Sequence, residues 1–255
     1  MDQKIVKKEL NVTAISDLHG YLPSVSDFPA GDVLCICGDI VPLKYQLSGL
    51  ETVSWLLQKF TPWTDKLKDY GYKHVLVIPG NHDFFFESAE LGSRRSGVDI
   101  LKKLYLDQYK QHIVKLLCDS SVVIEGHKFY GTPWIPDLSR WAFYGNSSTL
   151  VEKFSRIPKK CEVLLTHTPP RIGSQGLVTQ NGNWNYGKNF GCQELADTIR
   201  PRQIDWVLSG HVHSGLHEVE TIVTDSGHET KMRNVSLLDE DYHPTYDPFT
   251  FKLTI

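Results

Sequence analysis

Five short polar clusters hold the side chains of this sequence best suited to chemistry: Asp17-Leu18-His19-Gly20, Gly38-Asp39, Gly80-Asn81-His82-Asp83, Thr166-His167 and Gly210-His211-Val212-His213. Five of the eleven histidines fall in them. Gathered in one place, such a set is costly as plain structure, because each buried polar group without a partner loses about 1 to 3 kcal/mol. A metal cation offsets that cost. Asp17 and His19 stand two apart on an extended segment, so both can turn to one ion, and His211 and His213 repeat the arrangement. Imidazole with carboxylate and amide oxygen suits Mn²⁺, Fe²⁺/Fe³⁺, Zn²⁺, Co²⁺ or Ni²⁺, and no thiolate joins the set as in a closed structural zinc site. The donors exceed what one ion takes. Two ions about 3.5 to 4 Å apart, sharing a carboxylate, would use them all and supply the clamp that phosphoryl displacement requires. Taken singly, each cluster has a plainer reading: Asp17-Leu18-His19 as a turn, Gly38-Asp39 as a helix cap, Asn81 as a left-handed turn residue. Their joint occurrence in series selects the metal reading.

The elements that position these clusters follow from what precedes each one. Val12 to Ile15, Val33 to Cys37, Val75 to Ile78, Val163 to Leu165 and Trp206 to Leu208 are short apolar runs that break off into the polar residues. Runs this short, bounded by Gly and Pro, read as strands buried on both faces. Between them Leu50 to Phe60 has helical spacing, with Leu50, Val53, Leu57 and Phe60 on one face. Thr61 reads as the N-cap of a second helix, with Pro62 at its first position and Gly71 past its end. Further helices are expected over Val98 to Leu117, Thr149 to Phe154 and Gln193 to Arg200. Beyond His213 the texture changes to antiparallel strands ending in Phe249 to Ile255. Phe84 to Gly97 and Arg171 to Gly191 read as long loops walling a substrate cleft, with Arg94, Arg95, Trp184 and Tyr186 as candidate contacts. The prediction is an α/β fold, with ligands bound outside the carboxyl ends of the strands.

Composition narrows the class further. At 255 residues, 40% hydrophobic and 22% charged, the chain fits one globular domain over residues 1–255. No apolar run spans a bilayer and the charged start leaves no room for a secretory leader, so a cytoplasmic protein without membrane contact is expected. The net charge of −3 disfavours extended nucleic acid and fits a small or locally recognised substrate. The five cysteines read as reduced packing residues, Cys35 and Cys37 alternating with Leu34 and Ile36 along one strand. His74, His112, His127, His217, His228 and His243 read as ordinary surface or core residues.

The ordered series from Asp17 to His213 resembles the calcineurin-like metallophosphoesterase signature. Gly131-Thr132-Pro133-Trp134, Trp141-Ala142-Phe143, His167-Thr168-Pro169-Pro170 and Gly191-Cys192-Gln193-Glu194-Leu195 are similar to the branch of metallophosphoesterase-domain-containing proteins. The resemblance implies a four-layer αββα sandwich of two mixed sheets flanked by helices. It implies one metal held by Asp17, His19, Asp39 and His213, and another by Asp39, Asn81, His167 and His211, with Asp39 bridging. It further implies in-line attack on phosphorus by a hydroxide between the ions. His82 would contact the phosphate or protonate the leaving group, with Asp83 orienting it. Hydrolysis of a phosphodiester, of small or cyclic nucleotide type and with Mn²⁺ as the favoured ion, is the expected activity. The alternatives are a phosphomonoesterase and a protein-binding scaffold with a dormant site.

Overall fold

The computed structural model describes residues 7–90, 113–180 and 183–254. Five strands form the first sheet, in the order β11-β1-β2-β3-β4: β1 (Leu10–Ile15), β2 (Val33–Cys37), β3 (His74–Ile78), β4 (Val114–Leu116) and β11 (Phe249–Leu253). The second has the order β5-β6-β7-β8-β10-β9, from β5 (Ser120–Ile124), β6 (His127–Thr132), β7 (Lys160–Thr166), β8 (Gln203–Ser209), β9 (Glu220–Val223) and β10 (Glu229–Asn234). Both sheets are mixed. β1, β2 and β3 run parallel, with Ala14 beside Cys35 and Cys35 beside Leu76. β7 and β8 run parallel with Leu165 beside Leu208, while β11 closes antiparallel on β1.

Alternation along the parallel strands builds the layers. In β2, Val33, Cys35 and Cys37 belong to the apolar layer between the sheets, with Val12, Leu76, Phe129, Val163 and Leu208. Leu34 and Ile36 face outward, into a layer shared with Val53, Leu56, Phe60 and Leu67 of the helices. This is the period-two division expected of strands covered on both faces. All five cysteines are free thiols. Gly131 lets the sheets pack closely at its position: a Cβ there would lie 2.5 Å from Leu117 and 2.6 Å from Ile78.

The helices depart from the sequence reading in instructive ways. Helix α1 (Gly49–Trp55), capped by the Ser48 side chain, runs through a wide π turn, Leu56–Phe60, straight into α2 (Thr61–Leu67). No break occurs at Thr61. Pro62 follows the wide turn, which accommodates a residue with no N–H to donate and a ring that crowds the preceding turn. Gly71 ends the segment in the left-handed conformation as expected. Leu50, expected on the buried face, is 67% exposed at the helix's first turn; the inner face instead repeats Val53, Leu56, Phe60, Trp63 and Leu67. The Phe84 to Gly97 stretch opens not as a loop but as helix α3 (Phe84–Glu90), with Phe85 and Phe86 in the core. Most of the helix expected over Val98 to Leu117, with Arg94, Arg95 and His112, lies outside the described residues; its last part is strand β4, paired with β3. Helices α4 (Ser147–Ser155) and α5 (Gln193–Ile199) stand where they were read.

Candidate functional site

Each predicted cluster leaves the carboxyl end of a strand. Asp17 and His19 follow β1, Asp39 follows β2, Asn81 to Asp83 follow β3, His167 follows β7, and His211 and His213 follow β8. The exit loops run side by side: the amides of Asp17 and His19 donate to the carbonyls of Gly38 and Asp39, and Gly210 N–H donates to His167 O. Four of these residues are held in the left-handed region, Asp17 at φ 55°, His19 at 42°, Asp39 at 52° and His211 at 68°. Side chains other than glycine adopt that conformation at a cost of about 1 to 3 kcal/mol, and such strain concentrates at functional sites. Two glycines let the loops close in. A Cβ at Gly80 would lie 2.2 Å from Asp39 Oδ1, and one at Gly210 would lie 2.1 Å from Asp17 Oδ2.

The first sheet brings the acids. Asp17 is fully buried and accepts hydrogen bonds from His211 N–H at 3.0 Å and Ser236 Oγ at 2.6 Å. Asp39 accepts from His82 N–H at 2.8 Å, and its Oδ2 lies 3.4 Å from His167 Nε2 and 3.7 Å from His19 Nε2. Burial alone would raise both carboxyls. The imidazoles outweigh it, His213 foremost for Asp17 and His167 foremost for Asp39, and both are held below the ordinary carboxylate range. In return, and against their own burial, His167 is raised to about 9 by Asp39, and His213, 3.4 Å from Asp17, to about 9 by Asp17. Burial pushes the other two imidazoles down, His19 to about 4 and His211 to about 3.

Backbone carbonyls fix the orientation of two rings. His167 Nδ1 donates to Cys37 O at 2.9 Å and His213 Nδ1 to Asp239 O at 2.8 Å, which leaves each Nε2 facing the acids. His167 Nε2 lies 2.9 Å from Asn81 Oδ1, and its ring centroid is 5.0 Å from that of His211. His19 is the exception. Both its ring nitrogens are buried with no hydrogen-bond partner. Donor atoms lie within 4.8 Å of one another in three sets: Asp17, His19 and His213; His19, Asp39 and His82; and Asp17, Asp39 and His167. Asn81 and His211 adjoin these sets through His167, so all seven predicted ligands meet in one pocket.

Of the two residues expected to act on the substrate, His82 reaches the pocket, its Nε2 3.9 Å from Asp39 Oδ2. Asp83 does not orient it. The Asp83 carboxylate is fully buried and accepts from the amides of Ile40, Val41 and Gly80 at 2.8 to 3.1 Å; burial, helped by Asp39, raises it to about 7. A residue adjacent in sequence on a tight turn faces the other way, and Gln46 takes the expected place, its Oε1 2.6 Å from His82 Nδ1. The sequence reading also missed Tyr242, at φ 62°, whose ring packs 4.9 Å from His19 and 5.6 Å from His213. Trp141 lies 4.3 Å from the His82 ring. His217, read as ordinary, stacks on Tyr246 and hydrogen-bonds His213 O at 2.9 Å. The Asp239-Glu240-Asp241 run was the available signal for the Tyr242 segment; a lone Gln46 offered none. Trp184 and Tyr186 are 83% and 60% exposed.

Two packed mixed sheets with helices outside, and imidazoles and carboxylates gathered at the strand ends, define a hydrolase of the metal-handling kind. A model of the calcineurin-like phosphoesterase family matches residues 10–215, and the chain belongs to that family. It is 28% identical to metallophosphoesterase domain-containing protein 1 of Homo sapiens, over 94% of this chain and 69% of that protein. It is also 28% identical to UPF0046 protein T07D4.2 of Caenorhabditis elegans, over all of this chain and 63% of the relative. The chain therefore spans about two thirds of the length of these relatives. In fold it is similar to phosphopantetheinyl hydrolase (PptH) from Mycobacterium tuberculosis, with a TM-score of 0.51, 14% identity and 94% and 95% of the two chains covered. No helix among the described residues is long and apolar enough to cross a membrane.

Proposed function

We propose that this chain is a single-domain, dimetal-dependent phosphodiesterase acting on small esters, nucleotide derivatives among them. The observation that carries the metal centre is His19: two buried ring nitrogens without partners, facing two carboxylates held ionised. Neutral imidazole opposite carboxylate is the donor state a divalent cation takes. One ion would be held by Asp17, His19, Asp39 and His213, the other by Asp39, Asn81, His167 and His211. Bound there, two cations supply water of lowered pKa and neutralise charge on the phosphoryl oxygens. The remaining chemistry belongs to the protein. Gln46 Oε1 accepts from His82 Nδ1–H, so Nε2 is the atom presented to the leaving oxygen, and the imidazolium, protonated on both nitrogens, is the form that would donate there. Asp83 keeps the loops after β2 and β3 at their spacing.

Diester rather than monoester is favoured by the space around the cluster. Cavities flank it on two sides, one of about 450 Å³ beside His211 and one of about 580 Å³ beside His19. Each arm of a diester has a place. The free thiols fit residence in the reducing cytoplasm. The test is metal analysis followed by bis(p-nitrophenyl) phosphate, p-nitrophenyl phosphate and cyclic nucleotides under Mn²⁺, Ni²⁺ and Mg²⁺. Metal-dependent turnover of diesters above the monoester supports the reading, with Mn²⁺ expected to lead. Preference for the monoester replaces it with a phosphatase, and absence of both bound metal and hydrolysis replaces it with a scaffold.

A further inference from the structure

The two flanking cavities differ in charge. The one beside His19 is lined by Pro42, Lys44, Tyr45, Trp55 and Lys59 and presents no acid. The one beside His211 is lined by Pro136, Leu138, Val178 and Phe190 with two acids, Asp137 and Glu240, and presents no lysine or arginine. Lys44 stands on the short turn Leu43–Tyr45, directly before the Gln46 that holds His82, and its Nζ lies 4.7 Å from the Tyr45 ring. Lys59 projects from the π turn Leu56–Phe60, a local widening of the kind that often marks functional positions. No ion pair among the described residues includes Lys44 or Lys59, although the chain carries more acid than base. Two ammonium groups lining one cavity are favoured together when an anion sits between them.

We propose that Lys44 and Lys59 form an anion subsite, so that the substrate is an asymmetric phosphate ester. One arm carries a second negative group, a carboxylate or phosphate, on the His19 flank; the other, uncharged or cationic, lies in the apolar, acidic cleft on the His211 flank. This deepens the diesterase reading and rests on the same pocket, but its test does not depend on turnover. The probes are phenylphosphonate and 4-carboxyphenylphosphonate, titrated calorimetrically into the Mn²⁺-loaded full chain. The carboxylated probe is expected to bind about fivefold more tightly at low salt, two ion pairs to exposed lysines each contributing a small factor. The margin should shrink at about 0.5 M salt, where charges separated by more than a few ångströms are screened.

Lys44→Glu with Lys59→Glu should bring the affinity ratio to one or below, and Lys44→Arg with Lys59→Arg should restore it, with metal content and melting temperature confirming folded protein. Equal binding of the two probes by the unaltered chain, a ratio that survives charge reversal, or binding of neither probe overturns the subsite. Bis(p-nitrophenyl) phosphate hydrolysis on the same samples reports separately on the diesterase reading, so each can fail alone.

Discussion

The two sheets meet at the pocket with opposite chemistry. The tips of β1, β2 and β3 carry the acids Asp17 and Asp39 and the amide of Asn81; the tips of β7 and β8 carry the imidazoles His167, His211 and His213. Only His19 and His82 cross this division, both from the acid side. Neither half is self-sufficient. The carboxylates are buried, no lysine or arginine among the described residues pairs with them, and they stay ionised because imidazoles face them, His213 and His167 of the second sheet foremost. The pocket therefore joins the two sheets across complementary charges, and the donor sets Asp17, His19, His213 and Asp17, Asp39, His167 each draw on both.

The largest effect should come from removing the charge common to both halves. Asp39→Asn keeps the shape of the side chain and loses its negative charge, which faces His167, His19 and His82. Metal should be lost or weakly held, with diester turnover down by about 10⁴-fold or more, because Asp39 belongs to both proposed donor sets; metal analysis alongside kinetics checks this. Full metal occupancy in the variant would place the centre elsewhere. Asp83→Ala is the contrast. It stands beside the pocket yet belongs to the backbone of the acid side, and its loss orphans the buried amides of Ile40, Val41 and Gly80. The expected cost is about 3 kcal/mol of stability, roughly a hundredfold in the folding equilibrium, read by urea unfolding of the metal-loaded protein.

What was legible in the sequence divides along the same lines. Each ligand cluster was visible because strand, turn and polar residues are contiguous: Val33 to Cys37 announces a strand, Gly38 its end, and Asp39 the donor, within seven positions. The sandwich followed from the resemblance those clusters carry together. What failed depended on contacts between distant segments. Gln46 meets His82 across 36 residues and leaves no local pattern, and Tyr242 reaches His19 from near the other end of the chain, with only the acidic run before it as a local signal. Asp83 failed because adjacency to His82 was read as contact, when a turn at Gly80 sends successive side chains to opposite sides. The hairpin of β5 and β6 was missed although Glu125-Gly126, both at positive φ, lies between two β-rich runs and is a turn signal. The helix boundary at Thr61 failed because proline was taken as a start, whereas a π turn absorbs it.

The next two effects concern the residues of the acid side that would act on substrate instead of holding metal. His82→Ala should retain both ions and slow hydrolysis of a diester with an alkyl leaving group by roughly 10²-fold, the size of a lost general acid. With p-nitrophenol, which leaves readily without a proton, the loss should be much smaller. An equal loss for both leaving groups would assign His82 to charge stabilisation of the phosphate.

Gln46→Ala sharpens the distinction further, with the smallest effect. Gln46 Oε1 accepts from His82 Nδ1–H, and that bond settles which ring nitrogen points at the pocket and favours the imidazolium that can donate from Nε2. Without it the ring still packs against Trp141 and His19, so the imidazole stays in place but loses the acceptor at Nδ1. Turnover of the alkyl ester should fall about tenfold in kcat with KM little changed, and again more than that of the nitrophenyl ester. Gln46→Glu keeps an acceptor at the same position and should recover most of the rate. If the alanine variant instead lost both esters equally, with metal released, Gln46 would be a packing residue of the loop and His82 would owe its orientation to Trp141 alone.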